Sequence, residues 1–175
     1  MKTPRELFCD VWKRDKKLVV FPKGGSYITP VTLRHPIIVS AGYSGLPKAL
    51  EKVQEVLEKA ASDAPTVDAS EQMWRPLGCP DEKTFLREAV CCSVYRGREY
   101  GKARTELIAK VGVPAKKVFL GIPRRKILPY RTPVESVVEV VRAMHEKAEK
   151  ARGKQSGLPG VILLDKASGK KTTLP

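Results

Sequence analysis

Apolar residues recur along this chain with two periods. Leu46, Ala49, Leu50, Val53, Val56, Leu57 and Ala60 fall on one face at helical spacing. They predict a helix over 44–61, with Ser44 as N-cap and Pro47 in the first turn. Val134, Val137, Val138, Val141, Met144 and Ala148 predict a second long helix over 132–150. Thr132 caps it, Pro133 takes its first position, and Glu135 follows three residues after the cap. Leu7, Phe8, Val11 and Trp12, with charges between them, predict a short helix over 4–16. Short helices are also expected from Asp81 or Thr84 to Glu88, and over 103–111, the latter broken by Gly112, Val113 and Pro114.

The remaining apolar runs are short and read as strands: 17–21, 27–33, 36–41, 89–95, 117–121 and 126–129. Pro30 marks an edge or a bulge. Pro22 to Ser26, containing Gly24 and Gly25, reads as a hairpin turn. Residues 62–72 and 96–104 read as a polar loop and a basic turn, and Pro123-Arg124-Arg125 as a turn between the last two strands. These elements predict an α+β fold: a mixed, largely antiparallel sheet with the two long amphipathic helices packed mainly on one face. They make one domain over 1–151. A basic, partly mobile tail over 152–175 follows, in which Val161 to Leu164 could form an edge strand.

The two long helices are introduced alike. At a spacing of 88 residues, Val39 falls on Ile127, Ser44 on Thr132, Leu50 on Val138, Val53 on Val141, Val56 on Met144 and Ala60 on Ala148. Each copy reads strand, short loop, hydroxyl cap, amphipathic helix. Two copies at this spacing do not make a solenoid.

Charge changes the picture more than composition does. The 175 residues carry a net charge of +14 with 42% hydrophobic residues, a globular composition. Residues 1–88 hold 14 basic and 12 acidic residues, whereas residues 89–175 hold 19 and 7. A field this positive attracts nucleic acid, an anionic membrane or an acidic protein surface. Aromatic residues are only 6% of the chain. A single-strand binder interleaves stacking aromatics with its cations, so this low share weighs against that reading. No apolar run reaches the roughly 20 residues of a spanning helix. The opening MKTPRELFCDVWKRDKK lacks a signal-peptide core, so a cytoplasmic location is expected.

Candidate chemistry is sparse. Cys9, Cys79, Cys91 and Cys92 show no metal-ligand spacing and read as reduced thiols, with adjacent Cys91 and Cys92 on opposite faces of a strand. His35 lies in a strand region and His145 late in a helix, where a partial positive charge suits the helix end. No nucleophile, metalloprotease or phosphate-loop motif is present. The expectation is a protein that is not an enzyme and needs no metal or cofactor.

Three segments then stand in a telling order: IIVSAGYSGLPKALEKVQEVL, WRPLGCPDEKTFLREAVCCSVYRG and KILPYRTPVESVVEVVRAMHEKA. With Trp74, Gly78, Phe85, Cys92 and Val94 in the middle segment, the chain resembles immunity proteins of bacterial contact-dependent growth inhibition systems over residues 17–150. It departs from that pattern at Thr132-Pro133-Val134, which lacks a glycine one turn into the helix. The resemblance implies a protein that binds a cognate toxin domain, a nuclease being the expected kind, and occludes its active site. Charge offers two faces for that contact. A basic face of Arg96, Arg98, Lys102, Arg104, Lys116, Lys117, Arg124 and Arg125 suits an acidic toxin, and holds most of the excess. An acidic face of Glu51, Glu55, Glu58, Asp63, Asp68 and Glu71 suits a basic one. The alternative partner for the basic face is RNA or DNA.

Overall fold

The computed structural model describes residues 6–25, 30–32, 37–39, 41–63, 74–99, 101–157, 162–164 and 171–173. Eight strands form one sheet: β1 (Leu7–Arg14), β2 (Lys17–Gly25), β3 (Pro30–Thr32), β4 (Ile37–Val39), β5 (Val90–Glu99), β6 (Lys102–Val113), β7 (Val118–Gly121) and β8 (Lys126–Pro129). The order is β3-β2-β1-β5-β6-β7. β4 joins β2 beside β3, and β8 joins β6 beside β7. Every pairing is antiparallel. The helices are α1 (Leu46–Asp63), α2 (Glu82–Glu88) and α3 (Val134–Gly157). The chain is thus an α+β fold on an antiparallel sheet.

Alternation along the strands sorts the core into two layers. Leu7, Cys9 and Val11 of β1 join Cys92 and Val94 of β5 and Leu107, Ala109 and Val111 of β6. They pack under Leu46, Leu50 and Val53 of α1 and Val137, Val138 and Val141 of α3. The two long helices therefore share one face of the sheet, as their apolar stripes require. Trp12, Val19, Phe21 and Cys91 point to the other face. There Phe85 of α2, with Leu77, Cys79 and Phe119, covers them.

Two predicted helices are strands. Residues 7–14 form β1, which is buried on both faces; apolar neighbours such as Leu7-Phe8 and Val11-Trp12 fit a two-sided strand as well as a helix. Residues 103–111 lie inside β6, where pairing with β5, β7 and β8 overrides the helix propensity of Ala, Leu, Glu and Lys. The expected basic turn at 96–104 is mostly strand, and the chain reverses at Gly101, whose φ of +73° glycine tolerates. Pro22, Gly24 and Gly25 are not a turn but the second half of β2. Pro22, which has no N–H to give, sits at the break on that edge where β4 has ended and β3 has not begun. Helix α3 runs to Gly157, beyond the expected boundary at 151. In the tail, β9 (Ile162–Leu164) pairs with β10 (Lys171–Thr173) as a separate two-stranded sheet.

The repeated helix entry is part of a larger symmetry. The pairs Leu18↔Val39, Val19↔Ile38 and Val20↔Ile37 recur as Thr105↔Leu128, Glu106↔Ile127 and Leu107↔Lys126. Lys23↔Thr32 and Gly25↔Pro30 recur as Lys110↔Gly121 and Gly112↔Phe119. Asp10↔Phe21 recurs as Ser93↔Ile108. The unit β1–β4 with α1 thus matches β5–β8 with α3 about a pseudo-two-fold axis, which passes between the paired residues Asp10 and Ser93. The helix entries match in detail: Ser44 Oγ donates to Ala41 O and Thr132 Oγ1 to Pro129 O, both at 2.7 Å. These hydroxyls fasten the loop before the helix, rather than accepting from its first turn as N-caps. In the registers Val39 corresponds to Leu128, one residue beyond the match read from the sequence.

Candidate functional site

The opposite side of the sheet from α1 and α3 carries the chain's most organised charge. β6 presents Arg104, Glu106, Ile108 and Lys110 to this face, and β8 lays Ile127 beside Glu106. The Glu106 side chain is fully buried, with Arg104 Nη2 3.1 Å from its Oε2 and Arg125 Nη1 3.0 Å from its Oε1. One carboxylate therefore fixes two guanidinium groups. Ile127 is 50% exposed beside them. On the central strands, buried Asp10 accepts from Ser93 Oγ and pairs with Lys23 Nζ at 2.6 Å. Phe8 and Tyr95, half-buried, meet edge to face at 5.3 Å.

Of the predicted basic face, the fold brings part together. Arg104 and Arg125 meet at Glu106. Arg98 lies over the Tyr130 ring at 5.5 Å, and Lys102 is exposed at the same β5–β6 hairpin end. Arg96 is not a surface residue. It is 3% exposed on the helix side, donating through Nε to Thr105 Oγ1 at 3.0 Å and through Nη2 to Thr132 O. It lies on the same strand face as Val94, so alternation placed it inside. Lys116 and Lys117 are exposed in the turn after β6, about 30 Å from Arg104 at a strand's rise of ~3.3 Å per residue. Arg124 is exposed, at a φ of +71°. Lys147 of α3 donates to Pro123 O at 2.6 Å and Arg124 O at 3.0 Å, pinning this turn.

On the acidic alternative, Glu51, Glu55 and Glu58 are exposed on α1. Asp63 closes that helix, while Asp68 and Glu71 lie outside the described residues. His35 also lies outside them.

His145 is a fixed piece of core, not a helix-end charge. It is fully buried, and its Nε2–H donates to Val11 O at 2.8 Å, since a carbonyl can only accept. Its Nδ1 then accepts from Tyr43 OH at 2.8 Å. Burial pulls the imidazole pKa down to about 4, so the ring is neutral. All four cysteines are buried free thiols. Burial raises the pKa of each, which disfavours the reactive thiolate. Cys91 and Cys92 do face opposite layers.

The sequence reading missed the buried carboxylates. Asp10 and Glu106 were legible only as members of apolar runs whose neighbours point the other way. Lys23, the partner of Asp10, comes from the adjacent strand β2, and Arg125, a partner of Glu106, from the turn before β8.

No protein-family model matches this chain, and no curated protein matches it. Among solved structures it is similar to a protein of unknown function, NMB0488, from Neisseria meningitidis, with a TM-score of 0.51 at 8% identity, over 85% of this chain and 98% of that one. At that identity the likeness concerns the fold. Among the described residues no helix is long and apolar enough to cross a membrane.

Proposed function

We propose that this chain is an immunity protein that binds a toxin domain and blocks its active site, and that the contact is made by the basic end of the sheet. One observation carries the reading. Exposed Ile127 stands on a paired strand between Arg125 and Arg104, both tied to the buried carboxylate of Glu106. An apolar anchor set among pre-positioned arginines is the composition of a protein–protein hot spot, and it suits an acidic partner surface. The order of sequence segments shared with contact-dependent growth inhibition immunity proteins supports the toxin as the partner class.

The test is functional. The tagged chain retains its partner from native lysate, and the partner is then expressed alone and together with the chain. The partner alone is expected to arrest growth, and co-expression to restore it. A partner that is harmless alone, or toxic regardless of the chain, overturns the reading.

A further inference from the structure

The pseudo-two-fold exposes an unbalanced charge. Lys13, three residues after Asp10, corresponds to Arg96, three residues after Ser93, and their ladder partners Leu18 and Thr105 correspond as well. Both side chains lie on the helix side of the sheet, Lys13 with Val11 and Arg96 with Val94. Lys13 is neutralised there by Glu149 of α3. The residue of α1 that stands 88 places before Glu149 is Ala61, which carries no charge. Arg96 is left with two neutral acceptors, the Thr105 hydroxyl and the Thr132 carbonyl, and among the described residues no carboxylate reaches it. A guanidinium keeps its charge even when buried, so this one stays without a counter-ion.

Further cations gather at the same corner of the sheet. Tyr130 and Arg131 make the turn after β8, closed by Thr132 N–H donating to Pro129 O at 3.1 Å. Arg98 lies over the Tyr130 ring, and its ladder partner Ala103 adjoins Lys102. Arg98, Lys102 and Arg131 are exposed, and none has an ion pair among the described residues. They differ in this from Arg104 and Arg125, which Glu106 holds. Over 96–102 and 130–135 the four cations Arg96, Arg98, Lys102 and Arg131 stand against Glu99 and Glu135.

We infer that this corner receives an acidic projection of the protein partner, whose carboxylates meet Arg98, Lys102 and Arg131 in front of the unneutralised Arg96. This rests on the reading above and names the chemistry that the partner brings. Arginine at two of the three exposed positions suits paired hydrogen bonding to carboxylates. A nucleic-acid strand carries phosphates along its whole length and is held by cations in a row. Here the cations converge on one turn, and exposed Lys116 and Lys117 stand apart at the far end of β6.

The experiment uses the full chain, isotope-labelled for NMR, with a hexaglutamate peptide and a thymidine hexanucleotide as probes at one salt concentration. Hexaglutamate is expected to shift the amides of Arg98, Lys102 and Arg131 and the Nε–H of Arg96. The double variant Arg98→Gln with Arg131→Gln should lose about ten-fold or more in affinity for it, while the rest of the spectrum stays native. Lys102→Gln with Arg131→Gln leaves the contact of Arg98 with the Tyr130 ring in place and should lose as much. Lys116→Gln with Lys117→Gln removes the same charge at the far end of β6 and should lose almost nothing. Equal losses in all three double variants, shifts centred on Lys116 and Lys117 or on α1, or tighter binding of the hexanucleotide than of hexaglutamate would each overturn the proposal. None of these results touches the growth-rescue test, so the two readings fail separately.

Discussion

Two residues show how single positions divide between holding the fold and meeting a partner. Arg124 sits in the left-handed region, which costs a non-glycine residue roughly 1 kcal/mol. Arg124→Gly should therefore raise stability by about 0.5–1 kcal/mol in urea unfolding. Lower stability would show that the arginine side chain holds the turn. His145 makes the opposite case. Its folded pKa of about 4 lies below its ordinary 6.5, so between these values the unfolded chain binds the extra proton. Its contribution is fully present above pH 6.5 and is lost as pH falls towards 4, by about 3 kcal/mol in total. Unfolding free energy measured from pH 7 to 4 should fall in this window. Tyr43→Phe leaves Nδ1 without its donor and should cost about 1–2 kcal/mol at pH 7. A flat pH profile would contradict the buried neutral ring.

Among the elements, the long helices were legible because their stripes run for several turns and face one layer. The strands β1 and β6 were not. β1 is apolar on both sides, and β6 has the composition of a helix. Only three neighbouring strands, two of them supplied by later residues, make β6 extended. A peptide of residues 102–113 should accordingly show no strand signature by circular dichroism and gain helix in fluorinated alcohol. Persistent strand would mean that the preference is local. The seat of α2 is equally non-local. Gly112 reads in the sequence as a helix breaker, but its role is to admit Leu86 O. Gly112→Ala should displace α2 and cost about 2–4 kcal/mol, with Trp12 fluorescence reporting the loosened cover.

For the whole molecule, the sequence showed where charge accumulates but not how it is arranged. The excess after residue 88 is real, yet the fold buries Arg96, sends Lys116 and Lys117 to the far end of β6, and locks Arg104 and Arg125 onto Glu106. The 88-residue echo was visible in the helix entries. Its extension to the whole sheet was hidden because the paired strands share geometry and little sequence: Asp10 answers to Ser93 and Val19 to Glu106. Duplication places Tyr95 and Phe8 where the other half has Trp12 and Cys91, the pair that segment 74–88 covers.

The claim that this surface meets a protein is tested most directly by salt. Tagged chain drawn from native lysate is washed with rising salt, and what remains is identified by mass and ultraviolet absorbance ratio. The account predicts a stoichiometric protein retained at high salt, because buried apolar contacts survive screening. Nucleic acid that washes away as salt rises, with no protein left behind, would contradict it.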